Sequence, residues 1–361
     1  MNLFSKKIWN KRRVLVSGHT GFKGVWLSQM LLSQGAEVMG FSLPPDHNNK
    51  LFNILDQQAN LTDYFGDIRD LKKVSDVILK FKPEIIFHMA AQPLVLDGYK
   101  DPVGTYETNV LGTVNLFQAC RQNENCKVIV NVTTDKCYEN KEWAWGYRET
   151  DRLGGADPYS SSKACSEILT ESFHRSYFDR LNIGLATARA GNVIGGGDWA
   201  KNRIVPDAIN AFSSNAKLVV RNPEATRPWQ HVLEPLHGYM KLAECLFKSP
   251  KKYSGAWNFG PDDKGFRTVN WLVNEISSNW PNQAKWSVTK PSPSEYESQL
   301  LKLDISKSAS KLEWAPIWSA EKCVQKTVEW YLKNLGGSDP NKLIQTQMLN
   351  FFDDATPKHK G

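Results

Sequence analysis

The apolar positions along the chain fall into short runs separated by helical spacings. Residues 13–17 form the first run and are followed by Gly18-His19-Thr20-Gly21-Phe22-Lys23-Gly24. A helical spacing then takes over through Val25, Leu27, Met30, Leu31 and Leu32, giving strand, glycine turn, helix. Further buried-type strands are expected at 37–41, 61–65, 84–89, 127–132 and 183–188. Helices are expected at 71–81, 103–123 and 160–179. Alternation of this kind implies a parallel sheet with right-handed crossovers. After Asn192 the alternation weakens, and the region from Gly195 to His231 is dense in Pro, Trp and Arg. One more strand and turn at 256–261 and a helix at 269–280 close the pattern.

The fold class expected is α/β, a doubly wound parallel Rossmann-type sheet with a smaller C-terminal substrate-binding lobe. The 361 residues exceed the roughly 250–300 at which single cores stop growing, so two lobes are expected. Residues 1–194 form the dinucleotide-binding part, completed by a segment near 232–262, and 195–361 form mainly the second lobe. The 41 % hydrophobic and 23 % charged content is that of a folded chain. The formal charge of +7 is spread out, and the densest basic run, Lys6-Lys7 to Lys11-Arg12-Arg13, reads as a solvated terminus rather than a nucleic-acid arm. A modest positive field also suits a doubly phosphorylated substrate.

The six cysteines form no Cys-x-x-Cys pair and do not cluster with histidines at metal-ligand spacing. They read as reduced, buried small hydrophobes, and no metal is expected. No stretch approaches the roughly 20 apolar residues that span a bilayer, and none follows the basic N-terminus before Val14. The expectation is a cytoplasmic protein without membrane or nucleic-acid partners.

Gly18, Gly21 and Gly24 after a strand let a helix N-terminus approach a pyrophosphate, with His19, Thr20 and Phe22 between them. The acid expected at the end of the second strand is missing. Phe41-Ser42-Leu43 stands there and Asp46 comes late, which leaves NAD and NADP both open. After the third strand, Asp67 can meet adenine and Ile68 can pack on its face, or both sit in a solvated loop. His88-Met89-Ala90-Ala91-Gln92 ends the fourth strand with small residues that let backbone lie against a cofactor. Packing alone can also ask for them. Gln92 and Asn109 either face the site or bond within the core.

Tyr159 and Lys163, spaced Tyr-x-x-x-Lys, lie one turn apart on one helix face. There the ammonium can lower the phenol toward working pH and make Tyr159 a general base. Thr134-Asp135-Lys136 adds an acid and a possible second base that a plain dehydrogenase does not need. The alternative for Asp135 and Lys136 is a surface ion pair at a strand end. Arg203, Arg221 and Arg227 supply guanidiniums suited to phosphate oxygens or to surface salt bridges. Trp199 and Trp229 either stack on a base or sugar or are simply packed.

On these residues the chain resembles the extended short-chain dehydrogenase/reductase superfamily of NAD-dependent epimerases and dehydratases, and within it the CDP-glucose 4,6-dehydratase branch. The resemblance runs nearly the whole chain: GHTGFKG at 18–24, TTDKCYENKEWAWGYRE at 133–149, GGADPYSSSKACSE at 154–167, ARAGNVIGGGDW at 188–199, RNPEATRPWQHVLEP at 221–235 and LKLDISKSASKLEWAP at 301–316. It implies that NAD is the cofactor and CDP-glucose the substrate, converted to CDP-4-dehydro-6-deoxy-D-glucose and water for deoxysugar and O-antigen-type polysaccharide synthesis. Tyr159 would take the proton of the sugar 4-hydroxyl, Lys163 would hold the nicotinamide ribose, and Thr134 would bond the oxygen at C4. Asp135 would act as the acid at O6. Related dTDP-glucose dehydratases carry Glu where Lys136 stands, and a lysine serves as C5 base only when neutral.

The resemblance further implies Asn192, Arg203 and Arg227 around the CDP group, with Trp199 near the base. The stretch 292–302 departs from the family pattern, and no contact is assigned there. A homodimer or dimer of dimers is implied, through the helices at 103–123 and 160–179. Two rivals share the glycine turn: a nucleotide-sugar 4-epimerase, which needs neither an acid at O6 nor a base at C5, and a non-catalytic dinucleotide-sensing regulator.

Overall fold

The computed structural model describes residues 4–45, 51–52, 60–282, 284–289 and 298–356. Asp46 and the 292–297 part of the divergent stretch lie outside the described residues. Seven strands make the central sheet: β1 (Arg13–Ser17), β2 (Glu37–Ser42), β3 (Leu61–Phe65), β4 (Ile85–His88), β5 (Val128–Val132), β6 (Gly184–Ala190) and β7 (Gly255–Phe259). Their order is β7-β6-β5-β4-β1-β2-β3, and every neighbouring pair is parallel. The order reverses at β1, which lies between β2 and β4. In open α/β sheets the crevice beyond the strand carboxyl ends at such a switch is where ligands bind.

The inner strands read as near-continuous apolar runs because both faces are covered. Val14, Val16, Ile85, Phe87, Val128 and Val130 enter one core, and Leu15, Ile86 and Ile129 enter the other, as the two-residue period requires. Helices α1 (Phe22–Ser33) and α6 (Leu233–Lys248) supply Trp26, Met30, Leu236 and Tyr239 to the first core. Helices α2 (Leu71–Phe81) and α3 (Gly112–Cys120) supply Val74, Ile78, Leu116 and Phe117 to the second. Helix α2 starts where the Asp70 side chain accepts the Lys73 amide and ends at Lys82 in the left-handed conformation.

The helix expected at 103–123 is observed as three joined pieces: Pro102–Tyr106, a π-helical turn at Glu107–Leu111, and α3. Helix α4 (Pro158–Phe173) likewise passes into a π-turn at His174–Phe178. Beyond β6 come α5 (Ile204–Ser213), a parallel pair of short strands at Leu218–Val220 and Trp286–Val288, and an antiparallel pair at Thr226–Pro228 and Phe266–Thr268. Two C-terminal helices, Ala320–Leu335 and Pro340–Ala355, pack Val324, Val328, Ile344 and Phe351 back onto the first core.

Candidate active site

Gly18 follows β1 with φ of +76°, and a Cβ there would stand 2.8 Å from the Ala90 amide nitrogen. At Gly24 a Cβ would stand 2.2 Å from the Gly18 carbonyl oxygen. The first position therefore needs the left-handed region and the second needs the helix pressed against the turn. Helix α1 begins after Gly21 with no side-chain cap, so its first amides are left for a ligand. Beside them the ends of β1 and β4 are laced together. The Ser17 hydroxyl accepts the amides of Met89 (3.0 Å) and Ala90 (3.1 Å) and lies 2.7 Å from His88 Nδ1. Burial pushes the His88 imidazole down to about 3, so it is neutral. Its Nε2 then donates to Thr113 Oγ1 at 3.0 Å, because the Thr113 proton goes to the Asn109 carbonyl.

A cavity of about 710 Å³ opens above this crevice and is lined also by residues that follow β6, from Gly191 to Val269. Gly18, Thr20, Gly21, Phe22, Gly24, Asp67, Ile68, Ala90 and Ala91 line one end, and Thr134, Asp135, Lys136, Tyr159 and Lys163 line its middle. Asn192, Arg203 and Arg227 line the side toward Leu218, Val220, Asn222 and Val269. The structure thus gathers most of the residues singled out in the sequence into one space.

Three of them stand elsewhere. The His19 side chain is turned away from the cavity and fully buried, 2.9 Å from Asp63 Oδ1 and 3.0 Å from Ser42 Oγ, so it fastens the turn to the β2–β3 edge. Gln92 was expected against the substrate, but its amide is used by the fold: it donates to Thr105 Oγ1 (2.8 Å) and accepts the Leu94 amide (2.5 Å). Trp199, expected near the base, does not line the cavity and packs edge-on against Tyr331 instead, 5.1 Å between ring centres. A fourth adjustment concerns Asp67, which lines the cavity while its carboxylate accepts the Arg69 amide (2.9 Å) and guanidinium (2.7 Å). Asn109 proves to be a core clip, bonding the Gln92 backbone and Ser162.

At the centre, Asp135 is buried. Oδ1 accepts the Thr134 hydroxyl at 3.0 Å, and Oδ2 has no hydrogen-bond partner among the described residues. Burial raises its pKa against the lowering by Lys136, Thr134, Arg227 and Lys23. The Tyr159 phenol departs from the sequence expectation. Burial pushes it up to about 12, and the opposing influences are the Thr134 hydroxyl and the Arg203 charge rather than the lysine. Lys163, which donates to the Val132 carbonyl at 3.2 Å, is itself pushed down to about 8 by burial.

Sequence reasoning passed over Lys23, which lines the cavity. Burial, with help from Arg203 and Lys163, lowers it to about 8, while Asp135 and Asp198 pull the other way. Its signal was present: a cation in the first turn of a helix opposes the macrodipole and calls for a reason. Asp198, 2.9 Å from Arg203, was also missed.

The arrangement has relatives. A family model described as GDP-mannose 4,6 dehydratase matches residues 15–327. A CDP-glucose 4,6-dehydratase from Salmonella typhimurium is 45 % identical over 98 % of this chain and 100 % of its own length. Among solved structures, a dTDP-glucose 4,6-dehydratase from Streptomyces venezuelae with NAD bound aligns with a TM-score of 0.78 at 22 % identity, covering 91 % of this chain and 99 % of the other. A UDP-glucose 4-epimerase from Thermotoga maritima aligns with a TM-score of 0.75 at 21 % identity, covering 90 % and 99 %. The last two share the fold, and the match of the family model over most of the chain, with the full-length identity to the Salmonella enzyme, decides the kinship: the chain belongs to the GDP-mannose 4,6 dehydratase family.

Proposed function

We propose that the protein is an NAD-dependent hydro-lyase that converts CDP-glucose to CDP-4-dehydro-6-deoxy-D-glucose and water. The observation that carries this reading is Asp135, a buried carboxyl with raised pKa and one unpartnered oxygen, in the same cavity as Tyr159 and Lys163. An epimerase has no use for such an acid. The uncapped helix start, the glycine turn and the Ala90–Ala91 backbone fit a dinucleotide at one end of the cavity. NAD is favoured over its phosphorylated form because Arg69, the guanidinium at that end, is engaged by Asp67 and Glu107. When bound, NAD would supply the hydride acceptor for sugar C4 and the hydride donor for C6.

Tyr159 takes the proton of the 4-hydroxyl, and Thr134 holds the oxygen that becomes the ketone. The ketone acidifies the hydrogen at C5, and Lys136 removes it. Asp135 passes its proton to the departing 6-hydroxyl, which leaves as water. Asn192, Arg203 and Arg227 take the diphosphate, with the lobe after Gly195 serving the nucleotide. Incubation with CDP-glucose should give a 4-keto sugar that develops an alkali-induced chromophore. A 4-epimer without chromophore would show an epimerase, and no conversion would leave a binding protein.

The assembly we infer is a homodimer built on the helices from Pro102 to Cys120 and α4, and the place of action is the cytoplasm. No helix among the described residues is long and apolar enough to cross a membrane.

A further inference from the structure

Helix α4 presents a third ionisable group in the register of Tyr159 and Lys163. Glu167 follows Lys163 by four residues, so the three side chains share one helix face, a turn apart. Glu167 is buried, and one carboxylate oxygen accepts the Thr133 hydroxyl. The other accepts the Thr187 hydroxyl at 2.7 Å and Arg189 Nη2 at 2.8 Å. Arg189 donates in turn to the Tyr138 hydroxyl (2.7 Å) and the Glu149 carbonyl (3.1 Å), and Tyr138 donates to Asn258 Oδ1 (2.7 Å). One carboxylate therefore joins α4, the end of β5, β6 and the loop that follows Lys136.

Lys163 holds the carbonyl of Val132 and Glu167 holds the hydroxyl of Thr133. Adjacent turns of the helix thus grip adjacent residues, and the next three along the chain are Thr134, Asp135 and Lys136. A buried ion pair is a weak device for stability alone, since well-packed apolar side chains of similar volume do as well or better. Its charge, however, reaches the ammonium. Around Lys163 stand Glu167 on its own helix, the Cys137 thiol on the loop, the neutral His88 on β4 and Lys23 on α1. Burial raises the Cys137 thiol and keeps it neutral, which leaves Glu167 as the negative charge in that set.

We propose that Glu167 is a positioning residue for the reaction: through Thr133 it sets where Thr134, Asp135 and Lys136 meet Tyr159, and by its charge it holds Lys163 in the ammonium form. The inference rests on the dehydratase reading and deepens it. Its test compares Glu167→Gln with the double variant Glu167→Gln/Arg189→Met, which leaves no unpaired charge in the core. Lys163 is titrated directly by NMR of protein carrying 13Cε-labelled lysine, assigned with Lys163→Arg, and kcat and KM for CDP-glucose are followed against pH.

In Glu167→Gln the Lys163 midpoint should fall by about one pH unit, with the alkaline limb of kcat moving down beside it, because the ammonium is then lost at lower pH, and in the double variant, which also removes the Arg189 charge, it should fall by less. On that limb kcat should drop about tenfold while KM changes little. The wild-type midpoint and limb in both variants would overturn the proposal and leave Glu167 a purely structural anchor. Wild-type protein inert toward CDP-glucose would instead overturn the reaction assigned above, and the NMR midpoint would then decide the role of Glu167 by itself.

Discussion

At Asp135 two influences oppose each other. Burial raises the carboxyl pKa, Lys136, Thr134, Arg227 and Lys23 lower it, and burial prevails. Because the protonated form does the work, activity should fall as pH rises through this raised value, on a limb lying above the ordinary carboxyl range. Asp135→Asn is expected to lower kcat by about 10²–10⁴ and to accumulate a 4-keto sugar with its 6-hydroxyl retained, which mass spectrometry of the product would show. Lys136→Ala should abolish exchange of the C5 hydrogen with solvent deuterium while leaving 4-oxidation measurable, and undiminished exchange would remove Lys136 from the base role. The Tyr-x-x-x-Lys spacing was legible because helix period is a local property. The protonation balance was not, because the desolvation that raises Tyr159 and lowers Lys163 comes from the closed surroundings of both. Lys23 carried a local signal, but its role did not show, because only the fold brings it near Asp135 and Arg203.

Between elements, single polar side chains do the fastening. Asn109 in the π-turn closes the loop after β4 onto α4 through Ser162, and the Ser17–His88 pair locks the ends of β1 and β4. Glu234 at the start of α6 accepts the amides of Ile317 (3.0 Å) and Trp318 (2.7 Å), and burial pushes it up to about 8. Its folded value stands above the ordinary 4.5, so its contribution to stability is whole below that pH and is lost as pH climbs toward about 8. Glu234→Gln keeps an acceptor without the ionisation. A plot of Tm against pH for the variant should be flatter between 5 and 8, and an unchanged slope would contradict the assignment. The strands and α2 were readable from period alone. The π-turns were not, since one extra residue in a turn leaves the apolar spacing nearly intact. The two C-terminal helices went unread although Val324, Val328 and Tyr331 recur at helical spacing and Asp339-Pro340 marks a start.

For the molecule as a whole, the outer face formed by the helices from Pro102 to Leu111 and by α4 leaves apolar side chains uncovered: Val103 is 67 % exposed, Leu111 55 % and Ile168 60 %. Tyr106, Val110 and Cys165 line a shallow depression among them. If two copies meet there, Val103→Glu with Leu111→Glu should halve the mass seen in sedimentation velocity. An unchanged mass would place the contact elsewhere. The parallel sheet and its switch point were legible because alternating strands and helices admit few topologies. A strand at 256–261 was expected and is β7, but its place beside β6 and the return of the last helices to the first core depend on contacts between residues far apart in sequence. That Gly18 and Val220 line one and the same cavity matters for inhibitor chemistry. Two weak fragments, one seated at each end, could be covalently joined across the interior, and the second would then dock from an effective concentration near millimolar, gaining about 10²–10⁴ in avidity with no new contact.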